Sequence, residues 1–403
     1  MPDSAVTGGI QLLGEGTVPE PWTYVTYAYS ISPGCFPVHT LADMGADVVK
    51  VEDTGAGDYA RHTPPMSDRG VGSTFESVNR GKRSVAVDLK SDAGLEVFYQ
   101  LVEDADVVFE QFRPGVVVRL DIDYETLTRY NADIVYCSLS GYGQTGPYAD
   151  RVGHDLNYVG LAGLLDMTRE DEAMSPQMPG YQIGDLGGGL FAGFGILGGL
   201  LSRELGGGGE YIDVSMTDVV ASFSQAIAYQ ALTGGDPRPG ETPLTGEFPW
   251  YDIYETADGR YVTLGALEPK FWEAFCTETG REDLLDVHMT DDPDELAALR
   301  EELAALFASR TREEWLETLS DKTMTAPVLT PSEALEHPQI DDRIVRRPEE
   351  APTRVGFPAV GTDIPTPSNE SVPGQGEHTD RALREAGYDD ETIARLREDD
   401  MIV

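Results

Sequence analysis

The stretch Arg83–Phe112, RSVAVDLKSDAGLEVFYQLVEDADVVFEQF, constrains the fold more than any other part of the chain. A short β-branched run, SVAVDL, leads through Ser91 and Asp92 into an amphipathic helical pattern, and a second apolar run, DVVFEQ, follows. The same plan recurs in HTLADMGADVVKVED (His39–Asp53) and YETLTRYNADIVYCSLSGYG (Tyr124–Gly143). Strands separated by whole helices cannot form hairpins, so they pair in parallel, with the helices covering the sheet. The spacing therefore predicts an α/β fold.

Beyond this region, DLGGGLFAGFGILGGLLSRE (Asp185–Glu204) reads as a glycine-punctuated apolar helix, and GEYIDVSMTDVVASFSQAIAYQAL as a strand followed by a helix. The Gly/Pro/Thr-rich TGGDPRPGETPLTGEFPW then opens a separate unit. That unit begins with alternating apolar runs on either side of Asp258-Gly259, a hairpin signal. Helical segments PKFWEAFCTETG and DELAALREELAALFASRT follow; from Ala326 the chain is Pro-rich and irregular until a last helix near Asp380–Glu398. A chain of 403 residues exceeds a single core. The organisation read from it is a large α/β domain over residues 1–225, a small α+β domain over 226–330, and a return to the large domain over 331–403.

Acids outnumber bases by 71 to 29, for a net charge of −42, and only five of the cations are lysines. Such a surface repels nucleic acid and anionic membranes. The acids are spread along the chain and the hydrophobic fraction is 40%, so disorder is not implied. The charge instead fits a cytoplasmic protein of a halophile, because molar salt shortens the Debye length to about 3 Å and damps self-repulsion. The expected result is a melting temperature that falls steeply when the protein is dialysed from molar salt into dilute buffer; equal stability in both would overturn the halophile reading. Cys35, Cys137 and Cys276 have neither a paired framework nor metal-ligand spacing and read as buried thiols. The first residues, MPDSAVTGGIQLLGEG, have no leader pattern, and no uninterrupted apolar run reaches spanning length.

There is no GxxxxGK[ST], no ordered GxGxxG after a strand, no GxSxG and no HExxH. What remains are two isolated titratable groups in bland surroundings: His154 in VGHDLNYVGLAG and Asp185 in YQIGDLGGGLFAGFG. These blocks, with LADMGADVVKVE (Leu41–Glu52), NRGKRSVAVDLK (Asn79–Lys90), RPGVVVRL (Arg113–Leu120), YCSLSGYGQTGPYADRVGHDLNY (Tyr136–Tyr158), GDLGGG (Gly184–Gly189) and EHPQ (Glu336–Gln339), resemble the class III CoA-transferase (CaiB/BaiF) family. Within it, GHDLNY and ADGRYVTLGALEPKFW (Ala257–Trp272) look most like the α-methylacyl-CoA racemase branch.

The resemblance implies a Rossmann-like large domain built from both ends of the chain, a small inserted domain, and a homodimer whose two chains interlock. It implies an acyl-CoA substrate, with CoA as part of that substrate and no separate cofactor or metal. It casts His154 and Asp185 as catalytic, with Glu268 near His154, reached across a subunit boundary. Inverting a carbon next to a thioester removes a proton on one face and delivers one on the other, so two bases in opposite protonation states are needed. Histidine and a carboxylate can exchange those roles, and backbone N–H groups of DLGGG are expected to stabilise the enolate oxygen. For the CoA phosphates the candidates are Arg61, Arg80, Lys82, Arg83, Arg113 and Arg119, with Lys82 and Arg113 favoured by resemblance. The alternative chemistry is CoA transfer between carboxylic acids through an aspartyl-CoA thioester on Asp185.

Overall fold

A computed structural model of the chain describes residues 23–27, 35–169, 173–348, 352–359 and 371–403. The N-terminal stretch read for a leader lies outside the described residues, as does the Cys35 side chain. Six strands form one sheet: β1 (Thr23–Tyr27), β2 (Asp47–Glu52), β3 (Arg83–Ala86), β4 (Val107–Glu110), β5 (Val135–Ser140) and β6 (Glu210–Ser215). Their order is β3-β2-β1-β4-β5-β6, and every neighbouring pair is parallel. The chain winds outward from β1 to β3, crosses back, and winds the other way from β4 to β6. Ligands of such sheets sit beyond the C-terminal strand ends near the point of reversal, here between β1 and β4.

The central strand β1 was not among the strands read from sequence. TYVTY alternates tyrosine and threonine around one valine, so it carries little of the apolar signal that marks its neighbours. Its burial comes from position: Tyr24 and Val25 are each 1% exposed between β2 and β4. Alternate residues serve two cores. Val25, Val49, Val108 and Tyr136 face one with the helix Asp92–Glu103, while Tyr24, Val48, Val107 and Phe109 face the other.

The second face is covered by the helix Ile183–Glu204. A Cβ on Gly188 would lie 2.5 Å from Met216 Cγ, and one on Gly199 3.0 Å from Val135 Cγ1. Each glycine costs the helix about 1 kcal/mol of propensity, which this close approach to the sheet offsets. Although no uninterrupted apolar run in it reaches spanning length, this helix as a whole is long and apolar enough to cross a membrane by length and composition. Half of its apolar window is buried inside the protein, however, which is how a core helix uses such a sequence.

The chain's last segment returns to the first core. Ala382, Leu383, Ile393, Leu396 and Ile402 pack there with Val97 and Phe98, and Ile402 bridges Val87. In place of one terminal helix there are two, Thr379–Glu385 and Asp390–Glu398, separated at Gly387 with φ +93°.

Between these parts lies an antiparallel sheet of β7 (Tyr251–Glu255), β8 (Tyr261–Gly265) and β9 (Thr325–Pro327). The hairpin turns at Gly259, φ +70°. With the helices Pro269–Thr279 and Pro293–Phe307 it encloses its own core of Trp250, Trp272, Phe275, Leu303, Phe307 and Trp315. The Pro-rich stretch after Ala326, read as irregular, contains two short helices, Pro331–Glu336 and Pro338–Ile344. Each has proline in its first turn, where a missing N–H costs nothing.

Candidate active site

The loop leaving β5 passes Gly141 and reaches the short helix Asp155–Leu161, with His154 at its N-cap. Gly141 and Gly153 both lie against the Tyr158 ring, where any Cβ would collide with it. The Tyr158 hydroxyl donates to the Gly153 carbonyl at 2.5 Å, so the residue before His154 is tied to the first turn after it. His154 N–H donates to Asn157 Oδ1 at 3.0 Å, and Asn157 N–H returns a bond to the His154 carbonyl at 2.8 Å. The backbone of His154 is thereby locked while its side chain stays exposed.

Asp185 occupies the first turn of the glycine-rich helix, whose N-cap, Gln182, supplies no side-chain cap. The cap is provided from outside: Asp155 Oδ1 accepts the Asp185 N–H at 3.0 Å. Gly184 permits this, since a Cβ there would lie 3.1 Å from that oxygen. Burial pushes the Asp185 carboxyl up to about 7, and the Asp155 charge adds to the shift. The helix N-terminus would favour the anion, but loss of water outweighs it. Burial, and then Asp185, push the neighbouring Tyr158 hydroxyl well above the usual tyrosine range, so it stays neutral.

Gly187–Gly189 do not offer their N–H groups to a ligand, as the sequence had suggested. They lie beyond the first four helical N–H groups and are buried, Gly187 against Phe223 and Gly188 against Met216. Their use is packing.

The cations divide into two groups. Arg61 is buried in a two-pronged pair with Glu52, at 2.8 and 2.6 Å, and also donates to the Pro373 carbonyl. Arg80 is buried against Asp43 at 2.7 Å and against His39, which burial and then Arg80 push down to about 2. Arg83 pairs with Asp47 and Glu385. These three charges are already matched, which argues against their serving as free phosphate donors. Lys82 is 1% exposed and donates to Asn79 Oδ1 at 3.0 Å. Arg113 and Arg119 stand exposed on the segment after β4. Glu268 is exposed at the N-cap of the helix Pro269–Thr279, in the antiparallel unit, and within one chain it makes no bond to His154. A pocket of about 190 Å³ lined by Thr23, Asp47, Arg83 and Glu385 opens at the strand starts, the end of the sheet opposite this chemistry.

The model of CoA-transferase family III matches residues 25–379. The chain belongs to this family. Among its relatives, α-methylacyl-CoA racemase from Mus musculus is 35% identical over 382 residues, covering 92% of this chain and 94% of that protein. Succinyl-CoA:mesaconate CoA-transferase from Haloarcula marismortui is 36% identical over 381 residues, with 89% and 94% covered. The solved structure of a CaiB/BaiF family protein from Brucella suis superposes with a TM-score of 0.79 at 28% identity, covering 91% of this chain and 98% of that one.

In this family III enzyme, residues that the sequence reading passed over complete the site. Tyr158 and Asn157 were legible as the GHDLNY block but carried no assigned role, because their bonds to Gly153 and His154 depend on how the turn closes. Asp155, next to His154 in the same block, caps a helix thirty residues away.

Proposed function

We propose that this family III enzyme inverts 2-methyl-branched acyl-CoA thioesters by cofactor-free 1,1-proton transfer at the α-carbon. The observation that carries this reading is the state of Asp185: a carboxyl with no matched cation, brought to about 7 and standing at a helix start beside the element that bears His154. Near neutral pH such a group is divided between acid and base, which a two-way proton transfer requires. His154 takes the α-proton from one face while protonated Asp185 delivers a proton to the other; the reverse direction exchanges the roles. Tyr158 and Asn157 hold the His154 backbone, and Asp155 holds the turn of Asp185. Among the cations, Arg113 and Arg119, exposed on the segment after β4, are the proposed contacts of the CoA phosphates; Lys82, buried on Asn79, is not open to them in this state.

A homodimer is part of the reading. Leu190, Phe191, Phe194, Tyr229 and Leu232 are exposed on and after the glycine-rich helix, Phe194 at 74% and Leu232 at 86%, an apolar surface suited to a second copy of the chain. That copy would bring Glu268 toward His154.

The test is proton NMR of 2-methyldecanoyl-CoA with enzyme in D2O at molar salt and no acceptor acid. Loss of the α-proton signal is expected; its retention, with CoA moving to an added carboxylate, would overturn the racemase reading. The second reading, CoA transfer, is favoured by the resemblance to the Haloarcula transferase at 36% identity. There the Asp185 carboxylate attacks the thioester carbonyl and releases CoA thiolate. The thiolate then attacks the mixed anhydride to give aspartyl-CoA and free product acid. Hydroxylamine would trap that thioester.

A further inference from the structure

Glu110 is the last residue of β4, 2% exposed, beside the point where the sheet reverses. Strand register sets it directly opposite Ser138 of β5, and Ser138 opposite Asp213 of β6. The three side chains thus form a polar row across the C-terminal edge of the sheet, on one face.

Two loops are fastened to this row. Phe112 N–H donates to Glu110 Oε2 at 2.7 Å, which folds the chain after β4 back onto its own strand. Immediately beyond, Arg113-Pro114-Gly115-Val116 forms a turn in which Val116 N–H donates to the Arg113 carbonyl at 3.1 Å and Gly115 has φ +77°. From the other side, Gln144 Nε2 donates to Ser138 Oγ at 2.8 Å and Gln144 N–H to Asp213 Oδ2 at 3.0 Å. Ser138 stands beside the Glu110 carboxyl, directly opposite it in the register. The row therefore sets the turn bearing Arg113 next to the loop that leads from β5 to His154.

We propose that Glu110 is a positioning residue for the CoA moiety: by bracing the Phe112–Val116 turn against the sheet edge, it holds Arg113 where a phosphate group can be met. The inference rests on the acyl-CoA reading above but not on which reaction follows binding. Burial pushes the Glu110 carboxyl up to about 7, so keeping it there costs stability, and an apolar residue would serve the core better. Its retention makes sense if the turn needs an acceptor. Glu110 is 2% exposed, with Ser138, Asp213, Tyr136, Cys137 and Tyr211 near it, so it acts through the backbone it holds.

The experiment is calorimetric titration of free CoA at molar salt into wild type, E110L, E110D, E110Q, R113A and the E110L/R113A double variant. E110L fills the space but accepts nothing, and is expected to weaken CoA binding about tenfold, the scale of one buried donor left unpaired. E110Q, whose amide oxygen still accepts from Phe112 N–H, restores the affinity. In the R113A background E110L adds little, because both changes remove the same contact. Should E110L fail to fold, E110D, drawn back by one methylene, is expected to show the same loss in smaller measure. Undiminished binding by E110L and E110D, or full additivity with R113A, overturns the positioning role while leaving the acyl-CoA reading intact. A folded wild-type chain that binds no CoA overturns that reading and the inference with it.

Discussion

Replacing Asp185 with asparagine is expected to lower racemisation by about 10²–10⁴-fold, the range of a lost general acid–base, while making the protein more stable above pH 7. The two effects share one cause. Folding removes water from the Asp185 carboxyl and sets it near Asp155, so its pKa rises from 3.8 to about 7. The folded state then holds a proton that the unfolded state has released. Stability accordingly falls as pH rises from about 4 to about 7, and the penalty persists at higher pH. Asparagine has the same shape and no charge to desolvate, so the variant escapes that penalty. Melting temperatures of the two proteins should coincide near pH 4 and diverge in favour of D185N by pH 8. A variant that is inactive yet less stable at pH 8 would mean that Asp185 is held by compensating contacts and is ionised at neutral pH.

The second large effect concerns His154. In H154A, racemisation is expected to fall by about 10²–10⁴-fold, since no group remains to serve one face of the α-carbon. Exchange with solvent should survive, however, for the one enantiomer whose α-proton faces Asp185. Incubating each enantiomer separately in D2O would reveal this as exchange without inversion, confined to one of the two. The transferase reading makes a different demand, because carboxylate attack on a thioester needs no second base. CoA transfer at wild-type rate by H154A, with no α-exchange in either variant or wild type, would assign Asp185 as a nucleophile. The exposed side chain of His154 and its locked backbone make the substitution structurally mild: Asn157 and Tyr158 bond to main-chain atoms that alanine retains.

Much of the large sheet was legible because its signals are local. The strand–helix–strand rhythm, the Ser91 N-cap and the Asp258-Gly259 turn are decided by neighbours a few residues apart. What was missed has the opposite character. Strand β1 is weak in apolar pattern and becomes central only because β2 and β4 close on it. The short helices after Ala326 begin with proline and lack the length that makes periodicity readable. The blocks shared with a known family pointed to His154 and Asp185, yet no spacing rule could say that Asp155 would cap the helix of Asp185.

The sequence by itself determined the strands β2 to β6, the hairpin turning at Asp258-Gly259, and which residue types are available for acid–base chemistry. Tertiary structure alone decided the state of those residues. Arg80 is matched by Asp43 from 37 positions away and Arg83 by Glu385 from 302, so their loss as free cations could not be read from NRGKRS. The lift of Asp185 toward 7 likewise comes from walls contributed by separate elements. Desolvation and Coulomb energies depend on distance in space, whereas a sequence records distance along the chain.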